Sequence, residues 1–228
     1  GPRSTSMKQL QRIAGVLLDV DGTLVDSNDA HARAWERAFR EHGYDVPFER
    51  IRPLIGMGGD KILPLVANLD PGSIDGELVA DRRRAVFFRD HLPVLRAQRG
   101  ARQLVQLLRE RGLRLAVATS AKAEEIDGLL RAARVDDLVD EVVTNSHAGA
   151  SKPEPDILQL ALHRIRCAPA QAFMIGDTPY DIEAAGRSGI VTIALRCGGS
   201  SNQDLAGAFA VYNDPEALAN DLDRVLAS

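Results

Sequence analysis

The stretch Ala14-Gly15-Val16-Leu17-Leu18-Asp19-Val20-Asp21-Gly22-Thr23 constrains this chain more than any other. An apolar run ends abruptly in two carboxylates two positions apart, and a glycine and a hydroxyl residue follow at once. Strand side chains alternate between faces, so an unbroken apolar run reads as a strand buried on both sides of a sheet. Gly22 lets the chain leave the strand end sharply. Asp19 and Asp21 then lie at the carboxyl end of that strand, where open α/β sheets bind ligands. Two carboxylates crowded there repel unless a cation or a shared proton relieves them. Mg²⁺ suits such a place, because it prefers oxygen ligands and completes its shell with substrate phosphate. An acidic turn capping the next helix accounts for one aspartate, and poorly for two ahead of Gly22-Thr23.

A formal charge of −4 with no basic block argues against nucleic acid or a membrane surface as partner. Cys167 and Cys197 are too few and too isolated for a metal knuckle or a disulfide framework. No run approaches the length of a membrane span and no signal peptide is visible, so a soluble cytoplasmic protein is expected, monomeric or weakly self-associating. Residues 1–6, ahead of Met7, read as an expression scar.

Helical patterns then dominate. One covers Asn28 to His42, with Ala30, Ala34, Trp35 and Ala38 on one face. Others begin near Pro47 and near Gly59, and another covers about Asp75 to Asp90. No strand pattern appears between Val25 and Leu95, which predicts an all-helical insert over 28–96. From Ala101 helix and strand alternate. Strands are expected over Leu113–Ala118, Leu138–Val143, Phe173–Ile175, Ile190–Leu195 and Phe209–Tyr212. Helices are expected over Arg102–Arg111, Ala121–Ala133, Pro153–Arg164, Pro179–Arg187 and Pro215–Leu226. Such alternation means βαβ units and a parallel sheet with helices on both faces. The expected organisation is a Rossmann-like α/β core, residues 7–27 and 97–228, carrying a helical cap, 28–96.

Four strand ends carry the chemistry. Asp19 and Asp21 follow the first, Thr119 and Ser120 the next, Ser151-Lys152-Pro153 the third, and Gly176-Asp177-Thr178-Pro179-Tyr180-Asp181 the fourth. In a parallel sheet all of these share one rim. Nucleophile, metal acids, ammonium and hydroxyl clamps together form the parts list for phosphoryl transfer through a carboxylate. Each part has a plainer reading alone. Thr119 and Ser120 would cap a helix, Lys152 would sit on the surface, Asp177 and Asp181 would offset a helix dipole, and His31 with Trp35 would pack in a core. Their joint occurrence, each after a strand, favours the chemical reading.

The same order resembles the haloacid dehalogenase-like hydrolases. Asp19-x-Asp21-Gly22-Thr23 is similar to the family's first motif, Thr119 to the second, Lys152 to the third, and Gly176-Asp177-x-x-x-Asp181 to the fourth. The resemblance spans essentially the whole chain after the scar. It implies a Mg²⁺-dependent phosphatase in which Asp19 attacks phosphorus and forms an aspartyl phosphate, while Asp21 serves as acid and then base. It implies that Mg²⁺ is held by Asp19, the backbone carbonyl of Asp21, and Asp177, with Asp181 behind them. Thr119, Ser120 and Lys152 would hold the phosphoryl oxygens. The substrate is expected to be a small phosphorylated metabolite.

Asp26-Ser27-x-x-x-His31-x-x-x-Trp35 resembles the subgroup of β-phosphoglucomutase and phosphoglycolate phosphatase, and makes His31 a candidate substrate contact. Mutases of that group carry an arginine in the cap where this chain reads Gly56-Met57-Gly58-Gly59-Asp60-Lys61. Lys61, with Gly59 beside it, is the remaining candidate there, so phosphatase is favoured over a sugar phosphate mutase. A phospho-receiver signalling module shares acids, Thr and Lys on a doubly wound sheet. It is about half this length and lacks both the helical insert and the second aspartate.

Overall fold

The computed structural model describes residues 13–227, and the segment read as an expression scar lies outside them. The chain runs β1 (Gly15–Leu18), β2 (Val25–Asp26), then helices α1 (Asn28–Glu41), α2 (Phe48–Ile51), α3 (Gly59–Ala67) and α4 (Ile74–Val86). A π-helical turn, Phe87–His91, and a 3-10 turn, Leu92–Val94, lead into β3 (Arg96–Ala97). Helix and strand then alternate through α5 (Ala101–Glu110), β4 (Arg114–Ala118), α6 (Ala123–Ala132), β5 (Glu141–Val143) and α7 (Asp156–Arg164). They continue through β6 (Ala172–Gly176), α8 (Pro179–Arg187), β7 (Val191–Leu195), β8 (Ala210–Tyr212), α9 (Pro215–Asn220) and α10 (Leu222–Ala227).

Six strands form one sheet in the order β5-β4-β1-β6-β7-β8, every pairing parallel. β1 is central, and its side chains divide between two cores. Val16 and Leu18 join Leu104 and Leu108 of α5 and Leu218 of α9 on one face. Leu17 joins Ile157 and Leu158 of α7 and Ala184 of α8 on the other. That division is why the run reads apolar at every position. From β1 the chain first builds outward through β4 and β5, then crosses back to β6. The strand order therefore reverses between β1 and β6, and a crevice opens outside their carboxyl ends.

The cap has a core of its own. Trp35 and Phe39 of α1 pack with Ile51, Ile62, Leu63 and Val79. Helix α1 buries His31, Ala32, Trp35 and Phe39 along one stripe, at the spacing of an amphipathic helix.

Three features differ from the sequence expectation. β2 and β3 form a two-stranded antiparallel ladder, Val25 opposite Ala97 and Asp26 opposite Arg96, which ties together the two crossings into the cap. Two residues per strand leave no periodicity to read. The third strand of the sheet starts at Glu141, because Leu138 closes a turn onto Val135 O at 2.9 Å and packs as loop. The last helix breaks at Asp221, whose carboxylate accepts the Tyr212 hydroxyl.

Candidate active site

Asp19 leaves β1 with its N–H bonded to Ile175 O of β6 at 3.0 Å. The chain then turns at once, for Val20 O accepts the N–H groups of Thr23, Leu24 and Val25. Gly22 takes φ +78° in this turn, and a Cβ there would lie 2.1 Å from Asp177 Oδ2. The turn brings Thr23 Oγ1 within 3.0 Å of Asp19 Oδ2 and 2.9 Å of Asp177 Oδ1. One hydroxyl proton cannot serve both acceptors at once. Asn28, on the first turn of α1, donates from Nδ2 to Asp177 Oδ2 at 2.9 Å and to Gly198 O at 3.0 Å.

Lys152 is buried and reaches two carboxylates, Asp19 Oδ1 at 2.8 Å and Asp181 Oδ1 at 2.7 Å. Asp181 also serves its helix. Thr178 Oγ1 accepts the Asp181 N–H while Asp181 Oδ2 accepts the N–H groups of Thr178 and Asp177, a capping box at the start of α8. The capping role and the site role thus fall to one residue.

Asp19, Asp177 and Asp181 each offer a carboxylate oxygen, and these lie within 4.8 Å of one another. Three buried carboxylates against one ammonium leave excess negative charge. Burial first, then the Asp181 carboxylate, push the Asp19 carboxyl up to about 6, although Lys152 opposes this. Burial and the charges of Asp19 and Asp181 lift Asp177 well above the usual carboxylate range. Burial works against the Lys152 charge, and the two carboxylates outweigh it and raise its pKa. An all-oxygen, over-charged donor set without His or Cys fits a hard divalent cation such as Mg²⁺.

The expected metal set takes only the backbone carbonyl of Asp21, and its side chain is engaged elsewhere. The turn after Val20 swings its carboxylate away from the cluster, where it accepts from Ser27 Oγ at 2.5 Å and meets His31 Nε2 at 2.6 Å. Burial acts to raise its pKa, but the His31 charge and the hydrogen bonds from His31 and Ser27 outweigh it and hold the carboxyl below its usual range. The His31 ring stacks on Phe87 with centroids 4.2 Å apart, so it packs and bonds at once.

Asp19 and Asp21 open into a cleft of about 680 Å³ between cap and core, its mouth included. Thr119, Ser120, His31 and Gly59, all singled out from the sequence, line it. Thr119 Oγ1 accepts the Ala121 N–H at 3.0 Å within the loop ahead of α6, so it does not cap that helix, whose N-cap Lys122 makes no side-chain capping bond. Lys61 is not among the lining residues, and its ammonium turns to Glu154 Oε1 at 3.5 Å.

The model of the haloacid dehalogenase-like hydrolase family matches residues 16–195. The chain belongs to that family. A phosphoglycolate phosphatase of Nitrosospira multiformis is 33% identical over 202 residues, 85% of this chain and 87% of the relative. An N-acetylmuramic acid 6-phosphate phosphatase of Pseudomonas aeruginosa is 27% identical over 227 residues, 96% and 99% of the two chains. A solved hydrolase from Pseudomonas syringae superposes with TM-score 0.86 at 29% identity, covering 92% of this chain and 98% of that one. Among the described residues no helix is long and apolar enough to cross a membrane.

Several residues of this haloacid dehalogenase-like site escape a reading of the sequence. Arg83 and Arg84 of α4 and Lys122 and Glu125 at the start of α6 line the cleft opposite Asp19. Arg83 is buried, pairs with Glu125 across the cap–core seam, and stands 5.1 Å over the Trp35 ring. The sequence shows Arg83 only as one of three consecutive arginines, the usual mark of a solvated helix face.

Proposed function

We propose that this hydrolase is a Mg²⁺-dependent phosphatase acting on a small phosphorylated metabolite through an aspartyl phosphate on Asp19. One observation carries the reading: Lys152 and the carboxylates of Asp19, Asp177 and Asp181 form one buried cluster at the foot of a cleft that Asp21 also lines. Asp19 Oδ attacks phosphorus and the bond to the ester oxygen breaks. Lys152, Thr119 and Ser120 hold the phosphoryl oxygens as charge shifts onto them. Asp21 hands a proton to the departing oxygen. It is held ionised in the free protein, so that proton arrives with the substrate phosphate or across the 2.6 Å bond to His31. Asp21 then takes a proton from water, which attacks phosphorus and releases Asp19 and phosphate. Asp19, Asp177 and the backbone carbonyl of Asp21 would hold Mg²⁺, which supplies neutralisation of the phosphate charge that the nucleophile approaches.

Apart from Asp19 and Asp21, the cleft presents Arg83, Arg84 and Lys122 against Glu125 alone, an excess of positive charge on the leaving-group side. A leaving group with a second negative charge fits it better than a neutral sugar. The two relatives reported above are named for phosphorylated acids, which supports this reading. The segment from Gly56 to Lys61 carries no arginine and Lys61 is engaged with Glu154, which favours a phosphatase over a mutase.

A phosphometabolite panel with Mg²⁺ tests this reading. Phosphorylated hydroxy acids should give the highest kcat/KM, EDTA should abolish turnover, and Asp19→Asn should lose at least about 10³-fold in kcat while keeping the wild-type circular dichroism. Near wild-type turnover by Asp19→Asn would sink the covalent route.

A further inference from the structure

We infer that Asp60, on the first turn of cap helix α3, is a positioning residue that transmits closure of the cap to Lys152. The inference rests on the phosphatase reading above. Asp60 Oδ2 accepts the Ser151 backbone N–H at 3.1 Å, and Oδ1 accepts the Asn145 side-chain amide at 3.2 Å. Two residues earlier, the Gly58 N–H donates to Ser151 Oγ at 3.0 Å. All three bonds cross from cap to core and land on the loop that ends in Lys152. Beyond Pro153 the Lys61–Glu154 pair adds a fourth crossing.

From the core side the same backbone is held by the Lys152 N–H bond to Ser120 Oγ at 3.3 Å. The main chain at 151–152 is thus clamped between the cap and the loop after β4. From this clamped position the ammonium reaches Asp19 and Asp181. Ser151 is fully buried, so its N–H has a strong need for the acceptor that Asp60 provides. Gly58 permits the approach. A Cβ there would lie 2.7 Å from Asp60 Oδ1, 2.8 Å from Asn145 Nδ2 and 3.1 Å from Ser151 Cβ. The glycine-rich stretch therefore brings cap backbone onto a core loop.

The consequence is chemical. With the cap swung away, Ser151 loses both cap bonds and Lys152 is held from one side alone. The charge that stabilises the phosphoryl oxygens is then placed only when the cleft is closed to bulk water. Asp60 touches no leaving group, so its contribution is the same for every phosphate ester. Arg84 and Lys122, which face the leaving group, would discriminate among esters.

The test compares the full-length wild type with Asp60→Ala, Asp60→Asn and Gly58→Ala. Turnover is measured on p-nitrophenyl phosphate and on the best phosphorylated acid of the panel. Amide hydrogen exchange over residues 145–152 is followed in the metal-free protein. Asp60→Ala should lower kcat by the same factor on both substrates, roughly ten- to a hundredfold, with KM little changed. Asp60→Asn keeps one acceptor oxygen and should lie between, and Gly58→Ala should move in the same direction. Combined with Lys152→Ala, Asp60→Ala should cost nothing further in single-turnover rate. Exchange at Ser151 should quicken at least tenfold while the melting temperature stays close to that of wild type. Wild-type kcat in Asp60→Ala, losses that differ between the substrates, full additivity with Lys152→Ala, or unchanged exchange would each overturn the inference. A wild-type protein that turns over no phosphate ester would instead remove the phosphatase reading, and exchange alone would then decide whether Asp60 clamps the loop.

Discussion

Asp19 and Asp21 are separated by one residue, yet their carboxyls shift in opposite directions. Asp19 moves from 3.8 up to about 6 in the folded protein, and Asp21 moves below 3.8. The unfolded chain therefore ionises Asp19 first. The stability tied to protonated Asp19 is complete below pH 3.8 and is lost as pH rises through about 6. Asp177, raised by burial and by the same neighbours, adds to the loss. Asp21 acts oppositely, stabilising above its unfolded pKa and losing that stabilisation only as pH falls below it. In EDTA the melting temperature should drop between about pH 4 and 6, and Asp19→Asn should flatten the drop. Thermal melts across that window check it; an unchanged slope in the variant would take Asp19 out of the balance. The sequence made these acids visible because an apolar run ends on them. It did not reveal that Asp21 turns to His31, because that depends on three N–H groups converging on Val20 O. No spacing of residue types encodes such a turn.

At the scale of elements, α4 of the cap meets α6 of the core through Arg83 and Glu125. Both side chains are buried, and a buried pair is costly to half-dismantle. Arg83→Met or Glu125→Leu alone should cost about 3–5 kcal/mol, and the double variant should recover most of it. Urea titrations of the four proteins measure this, and strictly additive costs would mean the two groups do not couple. Lys61→Ala is a contrasting case. Its partner Glu154 is half-exposed, so stability should change by at most about 0.5 kcal/mol, with no preference among substrates. Elements with a period were legible: the α1 stripe and the β1 run both follow from which faces are buried. The β2–β3 ladder, the late start of β5 and the break at Asp221 were not, since each is set by one or two individual hydrogen bonds and not by a period. The cleft wall was equally hidden, for Arg83 and Glu125 become neighbours only when the cap folds back over the sheet.

For the molecule as a whole, cap and core each carry a hydrophobic core, and the cleft between them is where a ligand adds contacts. Mg²⁺ and orthophosphate, each at about ten times its Kd, should together stabilise the fold by about 2.8 kcal/mol. For a chain of this length that is on the order of 5–10 °C in Tm. Asp177→Asn should abolish the Mg²⁺ share of the shift. A wild-type shift in that variant, read by differential scanning calorimetry, would place the cation elsewhere.

The ladder of β2 and β3 bears on the history of such a chain. Val25 lies opposite Ala97 and Asp26 opposite Arg96, so everything between leaves and re-enters the core through one paired ribbon. The sheet experiences the insert only as two adjacent ends in fixed register. A helical segment of different length and sequence, spliced at that ribbon, leaves the strand order and the positions of Asp19 and Asp177 undisturbed. On the function proposed above, the rim supplies one reaction and the insert the choice of what reaches it, so the two can diversify at different rates. The ribbon is the joint at which recombination can exchange one without rebuilding the other.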